Sequence, residues 1–182
     1  MKYNKPIMLK DGRECQLCNV DAQLTAQACE AFKVAHSETD FLLTYPDETT
    51  FDIEKEQKNF EDKAASDNEL EICAIMDGRV IGTAGIEAVG GREKIRHRAE
   101  FGISVEKAYW GLGIGKAMTL VCIEAAKEAG YTQLELDVVA DNDRAFELYK
   151  SVGFTEFGRN PKGFLSRSGN WQELVLMRLE LK

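Results

Sequence analysis

The sequence has 182 residues, 44% of them hydrophobic and 30% charged, which is typical of one globular domain and gives no indication of disorder. Its formal net charge of −8 opposes binding to phosphate backbones, so we expect no nucleic-acid partner. The longest apolar run, residues 72–76, is far too short to span a membrane, and the first residues lack a signal-peptide pattern, so we expect a cytoplasmic protein without a membrane partner.

Hydrophobic periodicity predicts strands and helices that alternate along the chain. Asp21 is a candidate N-cap, Asp77-Gly78 is a hairpin signal, and Gly130 suits the end of a helix. In chain order we predict a strand at 13–20, a helix from 21, a looser segment at 37–48, a helix at 51–65, strands at 70–76 and 80–87, a turn at 90–91, a strand at 99–105, a helix after the glycines at 111–115, a strand at 134–139, a helix at 142–151 and a strand at 171–181 that closes the sheet.

The cysteines do not predict a disulfide framework or a metal site. The five cysteines are an odd number, so they cannot all pair, and most lie in apolar patterns. We therefore expect reduced thiols. Cys15 and Cys18 form a single C-x-x-C pair, and His36 and His97 are the only histidines, which is a poor supply of zinc ligands. We therefore expect no metal cofactor.

A glycine-rich loop at residues 110–116, with the sequence WGLGIGK, is the most informative motif. Glycines at alternate positions let successive backbone amides point at one spot, and the helix that follows adds positive charge at its N-terminus, so the loop predicts a phosphate site. It lacks the first glycine and the Ser or Thr of the phosphate loop of nucleotide triphosphatases. Its third glycine, Gly115, comes one residue too early for the dinucleotide fingerprint.

Two stretches resemble motifs of the GNAT superfamily of N-acetyltransferases. The loop at 110–116 follows a strand and opens a helix, as the motif Q/R-x-x-G-x-G/A does in that superfamily. Residues 142–154 (NDRAFELYKSVGF) are similar to its N-x-x-A segment followed by Y-x-x-x-G-F. The resemblance implies a single GNAT-type α/β domain over residues 1–182, in which a mixed, twisted central β-sheet carries helices on both faces.

The resemblance also implies that acetyl-CoA is the acetyl donor. In the superfamily the thioester arm lies between two splayed strands, which here would use the backbone of the strand at 99–105. Trp110 stands where Gln or Arg is usual, so the backbone is expected to bind the pyrophosphate without a side chain from that position. The cofactor-binding residues implied are Ile103, Val105, Trp110, Gly111, Leu112, Gly113, Ile114, Gly115, Lys116, Asn142 and Tyr149.

Acetyl transfer to an amine needs a general base and a general acid. Alternation along its strand places Glu100 opposite the apolar set, and the resemblance implies a strand glutamate as the base, acting directly or through a water, so Glu100 is the candidate base. A bulge would reverse its face, and a half-exposed structural carboxylate is the alternative. His97 is the weaker candidate base. The resemblance places Tyr149 at the sulfur of coenzyme A and Asn142 at the pantetheine region, and two helical turns separate them on one helix face, so Tyr149 is the candidate acid. The alternatives are a core aromatic for Tyr149 and an N-cap for Asn142.

The acceptor is expected to be a small-molecule amine. Residues 37–71 contain twelve acidic residues against three lysines, and aromatic residues are interleaved with them. Asp47 and Glu48 in this segment would suit a cationic amine, unless the charges only form a solvated surface. A protein N-terminal acetyltransferase and a non-catalytic acyl-CoA-binding sensor are the alternative functions, and a homodimer is left open.

Overall fold

Eight strands form one mixed sheet in the computed structural model, which describes all residues from 1 to 182. The spatial order of the strands is β1-β2-β3-β4-β5-β6-β8-β7, and all neighbours are antiparallel except β5 and β6, which are parallel. The strands are β1 (Asn4–Met8), β2 (Glu14–Asn19), β3 (Leu70–Met76), β4 (Arg79–Ala88), β5 (Arg98–Val105), β6 (Gln133–Val139), β7 (Thr155–Leu165) and β8 (Trp171–Glu180).

Helices cover both faces of the sheet, as expected. Along β3, Ile72 and Ala74 belong to the main core, which includes residues of α3, whereas Cys73 belongs to a smaller cluster with residues of α1. Since successive strand residues point to opposite faces, α1 and α3 lie on opposite sides. None of the four helices combines the length and the apolar composition that a membrane-spanning helix requires. The helices are α1 (Thr25–Ser37), α2 (Ile53–Ala65), α3 (Ile114–Glu128) and α4 (Asp143–Ser151).

The predicted helices and strands are present, with shifted ends. The largest shift concerns Asp21, which is not the N-cap of α1. Its carboxylate accepts hydrogen bonds from the amides of Gln23 at 2.9 Å and Leu24 at 3.0 Å, so it stabilises a turn before the helix, which begins at Thr25. In contrast, Asp52 and Asn142 cap α2 and α4 through their side chains.

The sequence pattern does not predict β1 or β7, and β8 does not close the sheet. β8 lies between β6 and β7, so β7 forms that edge and β1 forms the other. Both edge strands are mostly exposed, and each contains a proline. Proline is tolerated at a sheet edge, where an N–H is not needed for pairing, but its presence weakens the sequence signal for a strand.

The strands β5 and β6 separate soon after they meet. They are paired at Arg98, Ala99 and Glu100, whose partners on β6 are residues 133–135, and at no residue beyond these. On its other side, β5 stays paired with β4 as far as Val105. The sheet therefore forks after Glu100, as the resemblance implies for the strands that hold the thioester arm.

The C-x-x-C pair does not form a chelating site. Cys15 lies in the main core and Cys18 packs against the smaller cluster, because a separation of three residues along a strand places two side chains on opposite faces. All five thiols are free. Cys18 lies opposite Cys73 on β3, with 3.9 Å between the Sγ atoms.

Candidate active site

A cavity of about 750 Å³ occupies the fork between β5 and β6. It is bounded by residues 101–105 of β5, residues 136–139 of β6, the glycine loop and α4. We term it the fork cavity. Of the predicted cofactor-binding residues, all but Leu112 line it, so the fold brings together side chains that are distant in sequence.

The glycine loop has the geometry of an anion site. Gly111 and Gly113 have φ values of 84° and 100°, a region that residues with a side chain rarely adopt. Gly113 is the N-cap of α3. The backbone amides of residues 111–116 donate no hydrogen bond within the protein; the first amide of this helix that does so is that of Ala117. Free amides at a helix N-terminus favour an anion.

Three cationic side chains surround the loop without a carboxylate partner. Lys10, Lys116 and Arg144 line the fork cavity and take part in none of the ion pairs of the protein. The guanidinium of Arg144 lies 4.8 Å from the centre of the Trp110 ring. A Cβ on Gly111 would be 3.9 Å from Arg144 Nη2. Local positive charge is therefore concentrated at the free amides, although the protein as a whole is acidic.

Trp110 fixes the loop to the end of β5. Its indole Nε1 donates a hydrogen bond to the carbonyl of Val105 at 2.7 Å. The carbonyl of Val105, one of the predicted cofactor-binding residues, therefore already has a hydrogen-bond partner. Arg144 was missed from the sequence because its position over Trp110 depends on how α4 packs against the loop. The signal available was an arginine within the Asn-x-x-Ala segment.

Asn142 and Tyr149 both line the fork cavity from α4. Asn142 Oδ1 accepts a hydrogen bond from the amide of Ala145 at 3.2 Å, so the predicted N-cap role is present. Tyr149 is 9% exposed, and its ring packs edge-on against Phe101 with 6.1 Å between ring centres. Burial raises the pKa of the Tyr149 hydroxyl, which therefore keeps its proton at neutral pH.

A second cavity, of about 410 Å³, lies on the other face of the sheet beneath α1 and α2. We term it the helix-side cavity. Gly85 and Gly102 are opposite each other on β4 and β5, and they form a floor without side chains. Apolar side chains from α1, α2 and the segment between them line it: Ala28, Phe32, Leu42, Leu43, Phe51 and Phe60.

The two cavities meet along β5, where Glu100 lines both. The pairing of β4 with β5 has no register shift, so the predicted alternation holds and Glu100 faces the helix-side cavity. The pKa of Glu100 is raised by burial and by the negative charges of Glu87, Asp137 and Glu135. The other residues that the cavities share are Leu42, Leu43, Phe101, Gly102, Ile103 and Ser104.

Other predicted site residues lie elsewhere. His97 lines neither cavity. Asp47 and Glu48 also line neither cavity. Asp47 forms an ion pair with Arg167 at 2.8 Å, and Glu48 accepts a hydrogen bond from the amide of Tyr45 at 2.7 Å. The acidic side chains nearest the floor come instead from β3, β4 and β5.

His36 is a buried residue of the helix-side cavity that the sequence did not single out for catalysis. Its Nδ1 lies 2.8 Å from the carbonyl of Phe32 and therefore carries the proton, since a carbonyl can only accept. Burial lowers the pKa of His36, so the ring is neutral and its Nε2 is an acceptor. No group of three or more His, Cys, Asp or Glu side chains is arranged to hold a metal ion.

The profile of the acetyltransferase (GNAT) family matches residues 34–154 of this chain. N-alpha-acetyltransferase RimI of Mycobacterium tuberculosis is 34% identical over 99 residues, which are 54% of this chain and 60% of RimI. L-amino acid N-acyltransferase MnaT of Escherichia coli is 25% identical over 105 residues, which are 58% of this chain and 60% of MnaT. The match therefore spans less than two thirds of either relative.

Solved structures share the whole fold. An acetyltransferase of the GNAT family from Streptococcus pneumoniae superposes with a TM-score of 0.87 and 26% identity over 92% of this chain and 99% of that one. The yncA protein of Salmonella typhimurium, a putative acetyltransferase solved with its cofactor acetyl-CoA, has a TM-score of 0.81 and 21% identity over 92% of this chain and 94% of that one. The second likeness concerns the fold alone.

Proposed function

This chain belongs to the acetyltransferase (GNAT) family, and on that basis we propose that it transfers the acetyl group of acetyl-CoA directly to a primary amine. One observation carries the proposal. The fork cavity joins a loop of free amides to the helix-side cavity. The candidate base Glu100 lines both cavities, and the candidate acid Tyr149 lines the fork cavity and packs against the shared residue Phe101. A substrate on each side of the sheet would therefore meet at β5.

The fork cavity suits the parts of acetyl-CoA. The free amides of residues 111–116 would bind the pyrophosphate, and Lys10, Lys116 and Arg144 would neutralise phosphate charge. Arg144 would supply a side-chain contact in place of the Gln or Arg that the superfamily motif has at the position of Trp110. The backbone of β5 at Ile103 would hold the pantetheine arm as an added strand. Acetyl-CoA supplies an activated thioester at the end of that arm.

Glu100 and Tyr149 would divide the proton transfers. Glu100, with its raised pKa, would accept the proton that an ammonium must lose before its nitrogen bonds to the acetyl carbon. As the carbon–sulfur bond breaks, Tyr149 would donate its proton to the sulfur. The second proton lost from the nitrogen as the amide forms would restore the tyrosine hydroxyl. One proton per turnover therefore leaves through Glu100.

Purified protein and acetyl-CoA, with a panel of amines, test the proposal by the release of free thiol. We expect thiol release that depends on the amine and a new amide of the expected mass. The Tyr149→Phe variant serves as the matched control, because it removes one oxygen atom. Binding of acetyl-CoA without thiol release for any small amine or peptide would indicate the alternative function, an acyl-CoA-binding sensor.

A further inference from the structure

The helix-side cavity contains an unusual charge balance close to its glycine floor. Glutamates from three adjacent strands lie on this face: Glu71 on β3, Glu87 on β4 and Glu100 on β5. Glu87 is directly opposite Glu100, and Glu71 is directly opposite Gly85. Opposite residues have Cβ atoms about 5 Å apart, so these carboxylates lie around the Gly85–Gly102 floor.

Positive charge in this cavity is scarce. Lys63 is the one lysine that lines it, and no arginine does. Its Nζ is already shared between Glu71 at 3.1 Å and Glu87 at 3.7 Å. Glu56 of α2 adds a further carboxylate to the lining, and His36 is neutral. Four glutamates thus face one lysine, and the excess is negative.

The carboxylates respond to this excess. Burial and the neighbouring charge of Glu87 raise the pKa of Glu100, and burial raises the pKa of Glu71 in spite of its ion pair with Lys63. An additional cation in the cavity would lower the energy of these ionised groups. On the helix side of the cavity the rings of Phe32, Phe51 and Phe60 would cover a short hydrocarbon chain.

We infer that the amine acceptor carries a second positive charge and no carboxylate near the reacting nitrogen. The inference rests on the proposed function and adds the substrate class. With the reacting nitrogen above Gly102, beside Glu100, the second cation would lie against Glu87 and Glu71. A Cβ on Gly102 would have no atom within 4 Å, so there is space above the floor. A carboxylate in that space would meet like charge.

Three acceptors of one chain length isolate the second charge: butane-1,4-diamine, butylamine and 4-aminobutanoate. The measurement is kcat/KM from thiol release at neutral pH and fixed ionic strength. We expect the diamine to be preferred over butylamine by about tenfold, and 4-aminobutanoate to be the poorest of the three. Two peptides, with lysine or glutamate as the second residue, are tested as acceptors in the same assay. They show whether the second positive charge belongs to a basic peptide or to a free diamine.

Two variants locate the selectivity. Glu87 is 59% exposed at its side chain, so Glu87→Gln is expected to fold, and it should reduce the diamine-to-butylamine ratio about fivefold. Glu48→Gln is the matched control outside the cavity and should keep the ratio. Equal or better use of 4-aminobutanoate, or a ratio that Glu87→Gln leaves unchanged, would overturn the inference while thiol release still supports acetyl transfer.

If none of the three acceptors releases thiol, calorimetric titration of the diamine into the protein with CoA tests the second-charge site without turnover. Binding that weakens in Glu87→Gln supports the second-charge site even though the proposed transfer has failed. No binding of the diamine overturns the inference. Titration of CoA alone reports separately on the fork cavity, so failure of the cofactor site is distinguished from failure of the acceptor site.

Discussion

The guanidinium of Arg144 lies 4.8 Å from the centre of the Trp110 indole ring, and the indole in turn donates its N–H to the carbonyl of Val105. Trp110 therefore occupies the motif position of Gln or Arg and offers an aromatic ring against which Arg144 packs. It connects the end of β5 to the glycine loop and carries on its face a cation from α4. A planar cation on an aromatic face is favoured by the charge distribution of the ring.

Removing the charge of Arg144 should weaken CoA binding. For Arg144→Gln we expect the Kd of CoA, measured by calorimetry at low salt, to rise about tenfold, because one charge-assisted contact to phosphate is lost. Pantetheine, which has no phosphate, should bind with unchanged affinity. Lys150→Gln on the same helix is the control, since Lys150 is paired with Glu147 and lies outside the fork cavity. An equal loss for CoA and pantetheine would contradict a phosphate contact.

A side chain at Gly113 should both destabilise the protein and weaken CoA binding. Gly113, with a φ of 100°, is strained by any side chain, so Gly113→Ala should lower stability by about 1–3 kcal/mol and weaken CoA binding. Gly169→Ala, at a φ of 85° in a turn outside both cavities, carries similar strain and should leave CoA binding intact. Thermal unfolding and calorimetry measure the two effects.

Gly115 lies within the first turn of α3, where a Cβ would make an ordinary contact of 3.5 Å with Leu148. Gly115→Val is therefore expected to fold, and its side chain should shield the free amides. We expect a loss of CoA affinity of at least about tenfold by calorimetry. Undiminished affinity in the folded variant would show that the loop does not bind the cofactor.

Tyr149→Phe should separate chemistry from binding. Loss of the proton donor should reduce kcat about a hundredfold, whereas the Kd of CoA should change by less than about twofold. Tyr131→Phe is the matched control, because the Tyr131 hydroxyl accepts a hydrogen bond from Asn68 at 3.0 Å outside both cavities. An unchanged kcat in Tyr149→Phe would exclude the hydroxyl as the acid.

The pH profile of kcat/KM should report on Glu100. A base must be deprotonated to act, and burial with neighbouring carboxylates raises the pKa of Glu100, so activity should fall as pH falls through a value above that of an ordinary glutamate. Glu87→Gln removes one of the neighbouring charges and should move this acidic limb, the fall of kcat/KM at low pH, to lower pH. Glu100→Gln should abolish it. A limb unchanged in Glu100→Gln would point to His36 or to a bound water.

Local patterns predicted the residues that line the fork cavity more completely than those that line the helix-side cavity. The glycine loop, Asn142 and Tyr149 belong to two continuous stretches, and their roles depend on spacing within those stretches. The position of Arg144 over Trp110 depends on packing between elements, which spacing does not encode. The same is true of β7 and β8, whose order in the sheet is set by tertiary pairing and not by their alternation.

Charge density along the chain predicted an acidic acceptor wall in residues 37–71, of which Glu56 and Glu71 line the helix-side cavity whereas Asp47 and Glu48 do not. Asp47 and Glu48 lie in the most acidic segment, yet they are exposed and lie outside both cavities. Glu71, Glu87 and Glu100 are separated in sequence but adjacent across three strands. Their proximity follows from strand register, which a single sequence does not specify.

The fork after Glu100 gives the sheet two interior edges. Alternate amides of residues 101–105 point away from β4, toward a gap in which no strand accepts their hydrogen bonds. In hydrogen–deuterium exchange these amides should behave as edge amides in the middle of the sheet. An extended ligand in the gap would slow their exchange and would join the two halves of the sheet. The cohesion of the protein would then depend on ligand concentration, because a ligand that binds only the folded state stabilises it.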